Sequence, residues 1–505
     1  MASASTWPLS VKPHSTAERA LPAWPGMLVF LVLLTALGTL CWIMRGHGFI
    51  SGDALAMTAK LYVLRDAADF RLEYLGFEYP QAMTYLGALL AALPGVHAEA
   101  VPYVLDLVAV GLLGATAWKD IAHRHGAGWA TLLVVAMFAH PYLWWAATSG
   151  QQQGLGLFML YRLFRVFTDV SGRPEPMTYM RLGGWLCALL FVDERGMFIV
   201  LALAPWLILV APRAVLQRSP LAFYLVTYVP VIFAALGWVY LNWLFLRDGF
   251  AFLSDPGSSF RGAFSASAYL PWLEQAGGQF WYPALVTLLA GVMTVPVLVF
   301  SPLVARARGQ FDGLVAGATV ITAAALATYW RFTTQPADFI LLLLPAGLLV
   351  MRAVARPMRA GLLLATLLGV GGGWMTLSYQ ASPAVAQWTT ALVQQVEPAY
   401  EEERTLGQWL ALEPMPTLID DRAAFAVIAG HGSANELILP FSQRFKLALL
   451  SPARTPPQIV VADPRSEAGS RDTVSLRFPG LWEHGRADYV LVHEQGPYRV
   501  WRRAP

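Results

Sequence analysis

A single carboxylate, Asp53, opens a polar stretch directly after the first long apolar run of the chain. An acid held at a membrane face can take the proton of an acceptor hydroxyl or amine, which then attacks an electrophilic carbon. Aspartate is also a good N-cap, here for a helix starting near Ala54, and the two roles are compatible. The same stretch carries Lys60 and Arg71, then Phe77-Glu78-Tyr79-Pro80. Glu78 and Tyr79 are candidates for a second acid or an acceptor site, and Glu78 reads equally as an exposed loop charge. Further on, Arg331 stands between aromatics in Trp330-Arg331-Phe332, and Arg195 follows Asp193 and Glu194. A guanidinium binds phosphate through paired hydrogen bonds and stabilises charge on a departing phosphate. An arginine near the end of an apolar run also snorkels without any ligand, and Asp193-Glu194-Arg195 also reads as a solvated turn. Asp106 lies within an apolar run, about one turn from its end, where an acid lines a cavity or bonds a neighbouring helix.

Other reactive residues point nowhere. His431, His484 and His493 lack metal-ligand spacing and read as ordinary domain residues. The two cysteines, Cys41 and Cys187, lie in separate apolar runs and suggest neither a disulfide framework nor a metal site. No cofactor is named by these patterns; a divalent cation stays open.

The elements that must position these residues are membrane helices. Of 505 residues 56% are hydrophobic and 13% charged, against about a quarter charged in soluble domains. Net charge is +3, which carries no nucleic-acid signal. An apolar run from about Pro25 to Met44 has the length of a span and reads as a retained signal-anchor, with residues 1–26 cytoplasmic. Residues 45–79 form a polar loop in which 54–67 reads as an interfacial helix. Residues 81–94 are apolar but too short: fourteen helical residues reach about 21 Å against a core of about 30 Å. They read as an interfacial or re-entrant helix ended by Pro94-Gly95. Ten further spans follow, near 101–118, 129–147, 152–168, 178–192, 196–211, 221–246, 281–302, 314–329, 338–351 and 360–378. The pair around Asp193–Gly196 reads either as two spans or as one broken helix. Residues 247–280 form a long loop, a lid or a passive connection.

Charge sets the orientation. With the N-terminus inside, the inner segments hold fifteen Lys and Arg, and the outer loops to residue 378 hold eight, with twelve Asp and Glu. Eleven spans put the C-terminus outside. Residues 379–505 are richer in charge, with a helix over Glu397–Leu410 and strands at Thr417–Asp420, Gln458–Ala462 and Asp488–Val492, a small α/β domain on the Asp53 side. The expected organisation is a cytoplasmic segment 1–26, a transmembrane domain 27–378 with an extracytoplasmic loop at 45–94, and a periplasmic domain 379–505.

This layout resembles the GT-C superfold of integral-membrane glycosyltransferases, in particular the bacterial relatives of protein O-mannosyltransferases and aminoarabinose lipid A transferases. Gly52-Asp53 matches the acid that opens their first outer loop, and Phe77-Glu78-Tyr79-Pro80 the start of a later juxtamembrane helix. Asn242-Trp243 with Arg247-Asp248-Gly249-Phe250 resembles the span end leading into their substrate-side loop. Trp330-Arg331-Phe332 before an apolar run ending near Pro345 resembles their Arg-aromatic motif. The match covers roughly residues 25–378. Two departures stand out: Ser149-Gly150-Gln151-Gln152-Gln153 replaces a turn that often bears a second acid, and Pro80 is single.

The resemblance implies transfer of a sugar from a polyprenyl-phosphate donor to a glycan, lipid or protein acceptor at the extracytoplasmic face of a bacterial inner membrane. Asp53 would be the base, with Arg331, Arg195 and Lys60 on the donor phosphate and inversion at the sugar carbon. The rival readings are a lipid-sugar transporter or flippase and a non-catalytic envelope assembly protein. No internal repeat is visible, and few ionisable residues fall mid-span, which speaks against a secondary transporter.

Overall fold

The computed structural model describes residues 24–66, 81–172, 175–250, 252, 281–330, 339–378, 382–450, 456–486 and 488–504. Arg71, Glu78, Tyr79, Pro80 and Arg331 lie outside the described residues, as does most of the 247–280 loop.

Apolar runs become helices because only a helix satisfies its backbone polar groups internally. The described helices, in order, are α1 Trp24–Gly46, α2 Gly52–Asp66, α3 Ala82–Ala91, α4 Val101–His125, α5 Ala127–Phe138, α6 Pro141–Thr148, α7 Gln153–Gly172, α8 Pro176–Val192 and α9 Gly196–Val210. After them come α10 Arg213–Arg218, α11 Pro220–Leu246, α12 Trp281–Thr294, α13 Phe300–Arg308, α14 Asp312–Tyr329, α15 Leu343–Ala353, α16 Arg359–Ser378, α17 Pro383–Ala391 and α18 Glu401–Leu412. Among the described residues five unbroken helices are long and apolar enough to cross a membrane: α1, α4, α11, α14 and α16, the second and fifth with their short leading turns. Two bent pairs raise this to seven. Helices α8, α9 and α15 are apolar but shorter, and α7 is 20 residues long but carries Arg162, Arg165 and Asp169. Every expected span therefore coincides with a helix or a bent pair.

The bends have local causes. The 129–147 run breaks by 72° between α5 and α6, where His140 caps α6 and Pro141 stands at its first position. Proline there lacks only an N–H that would have no helical partner anyway. The 281–302 run breaks by 106° at Val295–Pro296. Asp193-Glu194-Arg195 forms a three-residue turn between α8 and α9.

The C-terminal domain carries a five-stranded mixed sheet in the order β2-β1-β3-β5-β4, with β1 Thr417–Leu418, β2 Leu437–Ile438, β3 Gln458–Ala462, β4 Tyr489–Gln495 and β5 Tyr498–Arg503. Strands β2, β1 and β3 run parallel, and β5 and β4 join antiparallel. A seven-residue helix, α19 Phe425–His431, connects β1 to β2.

Helix α2 joins the two parts. Sequence reading gives it one apolar face on the membrane interface; the structure packs it on two sides. Met57, Leu61 and Tyr62 meet Ala98 and Val101 beside α3 and α4. Ala59 and Val63 meet Leu406, Leu410, Val427 and Ile428 of the C-terminal domain, and Leu55 meets Ala426 and Ala429. Each fully buried Leu or Val contributes about 1.5–3 kcal/mol. Polar contacts finish the joint: Ser433 Oγ and the Ala434 N–H donate to Asp66 at 2.7 and 2.8 Å, and Arg65 donates to the Gly432 carbonyl at 3.1 Å. Helix α17 is anchored by Trp388, whose indole donates to Thr148 Oγ1 at 2.9 Å.

Candidate functional site

Helix α2 starts where α1 ends, and Ser51 sets its first turn. The Ser51 hydroxyl accepts from the Ala54 N–H at 3.1 Å, as an N-cap does. The cap reading of Asp53 is thereby replaced: Ser51 caps, and the Asp53 side chain is left for another use. Asp53 sits in the first turn, where the positive end of the helix dipole favours an anion.

The Asp53 side chain keeps solvent-accessible surface. Loss of bulk water raises its carboxyl above the ordinary carboxylate range, and a hydrogen bond from the Gln151 side chain opposes that rise. Tyr400 reaches the same turn of α2 from the C-terminal part of the chain. Its ring crosses Gly52 so closely that a Cβ there would lie 2.8 Å from the phenol oxygen. Burial, then the negative charge of Asp53, raises the Tyr400 phenol. Tyr400 itself has φ +60°, uncommon for a residue with a side chain, and its ring packs on Phe425 with centroids 5.4 Å apart.

Gln151 belongs to the turn Ser149–Gln153 between α6 and α7. Asp106 organises that turn from the far side. The Gln152 and Gly154 N–H groups both donate to its carboxylate at 2.9 Å, so Asp106 satisfies the exposed donors at the start of α7. Gly150, at φ +69°, fits between Ala54 and Tyr103, where a Cβ would meet each at 3.0 Å. Asp106 is completely buried. Of the two roles open to it in the sequence, bonding to a neighbouring element is the one occupied.

Arg195 is buried, and Asp193 holds it. Nε and Nη2 donate to the two Asp193 oxygens at 2.9 and 2.6 Å, and the Arg195 N–H donates to Oδ1 at 2.9 Å. This bidentate pair closes the α8–α9 turn. Trp330, the residue before Arg331, packs its ring on Phe198 of α9 with centroids 5.9 Å apart. Lys60 lies on α2 seven residues from Asp53, two turns along the same face, about 10 Å away. Asn242 is buried with its amide donating to the Trp238 carbonyl, and Arg247 ends α11 in the left-handed region.

The structure thus brings Asp53 together with Gln151 and Tyr400, neither of which the sequence singled out as chemistry, and puts Asp106 behind the same turn. Among the described residues no group of three or more His, Cys, Asp or Glu could hold a metal ion.

These features define a multi-pass helical membrane protein with a small C-terminal mixed-sheet domain. No family model and no curated protein matches the chain. Solved structures do. ArnT from Cupriavidus metallidurans bound to undecaprenyl phosphate superposes with a TM-score of 0.58 at 13% identity, covering 95% of this chain and 98% of that one. The apo state of the same protein gives 0.54 at 14% identity, with the same coverage of both chains. The likeness at this identity is one of fold, and it extends through the C-terminal domain beyond the region of the sequence motifs.

Proposed function

We propose that this chain is a membrane glycosyltransferase that moves a sugar from a polyprenyl-phosphate donor to an acceptor, with inversion. The single observation that carries the reading is Asp53: an accessible carboxylate in the first turn of α2, relieved of capping by Ser51. The fold shared with a protein crystallised with undecaprenyl phosphate supports the donor class.

In this reading Asp53 takes the proton of the acceptor hydroxyl or amine. The acceptor forms a bond to the anomeric carbon as the carbon–oxygen bond to phosphate breaks, and polyprenyl phosphate leaves with the electron pair. Burial raises the carboxyl, which makes the deprotonated form a stronger proton acceptor. Arg331 is the candidate ligand for the leaving phosphate, with Lys60 on the Asp53 face of α2 and Arg195 fixing the neighbouring turn. Glu78 and Tyr79 remain candidates on the acceptor side. Residues 27–378 form the catalytic membrane domain, and residues 379–505 close the site through Tyr400. The charge bias puts the N-terminus in the cytoplasm and this site at the periplasmic face of a bacterial inner membrane.

The test is reconstitution of the full chain in proteoliposomes with a panel of polyprenyl-phosphate sugars and candidate acceptors. The expected result is release of polyprenyl phosphate with transfer of one sugar. Movement of an intact lipid-sugar between leaflets, with no bond cleaved, contradicts the proposal and makes the chain a transporter.

A further inference from the structure

At the other end of the bundle the charges are arranged in the opposite sense. A cavity of about 490 Å³ opens between α1, α4, α7 and α15, lined by Lys119, Asp120, His123, Arg162, Arg165 and Arg352. Four cations face one acid there. The acid is already committed: Asp120 accepts from Arg165 at 2.6 Å and from the Tyr161 hydroxyl at 2.7 Å. Arg352 is steadied by Thr168 Oγ1 at 3.3 Å, and Thr168 in turn donates to Asp312 at 2.8 Å. Lys119 and Arg162 have no carboxylate partner among the described residues, although Arg162 stacks over Trp185 at 5.2 Å. The Arg165 Nε is buried with no hydrogen-bond partner among them.

A general excess of cations on one membrane face would place these residues on separate, solvated surfaces. Here they line one open cavity, with Arg165 held by Asp120, Arg352 by Thr168 and Arg162 stacked on Trp185. Four positive charges in a hollow repel one another, and an anion relieves that cost. Thirteen residues of helix separate Asp106 from Lys119, so the cavity lies about 20 Å along α4 from the Asp53 site and is distinct from it.

We infer that this cavity binds the phosphate of an anionic phospholipid headgroup. The lipid source is argued from what borders the mouth. Gly26, in the first turn of α1, is part of the lining. Beside it Trp24, Met27 and Leu28 are exposed at 67%, 65% and 53%, and on α4 Leu112 is exposed at 39%. An acyl chain leaving the cavity has an apolar track along α1 and α4, whereas free phosphate makes no use of it. Basic pockets between membrane helices at headgroup depth recognise lipid phosphates by this combination of charge and track.

The experiment is native mass spectrometry of the full chain in neutral detergent, titrated separately with phosphatidylglycerol, phosphatidylcholine and inorganic phosphate. Phosphatidylglycerol is expected to bind as a discrete adduct that phosphatidylcholine does not match. The Lys119→Gln/Arg352→Gln variant is expected to weaken it about tenfold, the loss of about 1.4 kcal/mol. The charge-preserving Lys119→Arg/Arg352→Lys variant keeps the adduct and controls for misfolding. Equal binding of phosphatidylcholine, or unchanged binding in the charge-removing variant, overturns the inference. Displacement of phosphatidylglycerol by inorganic phosphate at comparable concentration overturns the lipid source.

Discussion

Two regions press on the same five-residue turn, Ser149–Gln153, and each brings one acid to it. From the start of α4, Asp106 is completely buried and gives both oxygens to backbone N–H groups of the turn. From the start of α2, Asp53 keeps accessible surface and has the side chains of Gln151 and Tyr400 as neighbours. The first acid is spent on architecture; the second has a lone pair to use. An aspartate in an apolar setting is therefore not a functional residue by composition alone. What distinguishes the two is whether the backbone already occupies the oxygens. Ser51 makes the difference at α2, because it takes the capping role that Asp53 would otherwise fill.

The comparison is broken most easily by exchanging the acids for their amides. Asp53→Asn is expected to lower transfer at least about 100-fold, the usual scale for a general base, with the denaturation temperature in detergent unchanged. Asp106→Asn is expected to do the reverse: the start of α7 loses about 1–3 kcal/mol through an imperfectly satisfied pair of N–H groups, while turnover per folded molecule stays within about tenfold. Thermal unfolding and single-turnover assays on the same preparations separate the two. A folded but inactive Asp106→Asn protein would erase the distinction.

Gly150→Val probes the turn itself. A branched side chain at φ +69°, wedged between Ala54 and Tyr103, must push the turn away from both acids, at a cost of about 1–3 kcal/mol. Loss of stability and of activity should appear together. Gln151→Leu is a finer probe. The amide lowers the Asp53 pKa, so removing it leaves burial unopposed and raises the pKa further. A base works when deprotonated, so the acidic limb of the pH–rate profile should move to higher pH. A limb that stays in place, or moves to lower pH, separates Gln151 from the base. The smallest change is expected from Tyr400→Phe. It removes a hydroxyl beside Asp53 and leaves the ring over Gly52, so activity should fall less than about tenfold with the C-terminal domain still docked.

Much of this architecture is legible in the sequence, for identifiable reasons. Span positions follow from run length and hydropathy, so every expected span has a helix or bent pair beneath it, and the short run 81–94 becomes the ten-residue α3. The bends at His140-Pro141 and Val295–Pro296 are less legible, since proline also sits inside α9 and α11 without dividing them. In the C-terminal domain the strands at 417, 458 and 489 were readable from β-branched runs. Strand β2 is only two residues long and β5 is rich in arginine, so neither carries the pattern of a buried strand.

The site was half legible. Asp53 is marked by its place after an apolar run. Its neighbours are not marked. Gln151 reads as the absence of an acid until its amide is seen at Asp53, and Tyr400 arrives from nearly 350 residues away. The partners of Asp106 are backbone N–H groups, which no residue type announces. Arg195 reads either as a phosphate ligand or as part of a solvated turn, because the sequence gives its charge and not its geometry; the structure shows it buried and held bidentately by Asp193.

The measurement closest to the central claim compares cells carrying wild type, Asp53→Asn or no copy, at matched protein levels, with polyprenyl-phosphate sugars and surface glycans profiled by mass spectrometry. If Asp53 is the base, one lipid-linked sugar accumulates and one glycan loses that sugar, equally in the Asp53→Asn and null cells. If the null cells show that change and Asp53→Asn restores the wild-type profile, Asp53 is not the base and the account of this site is wrong.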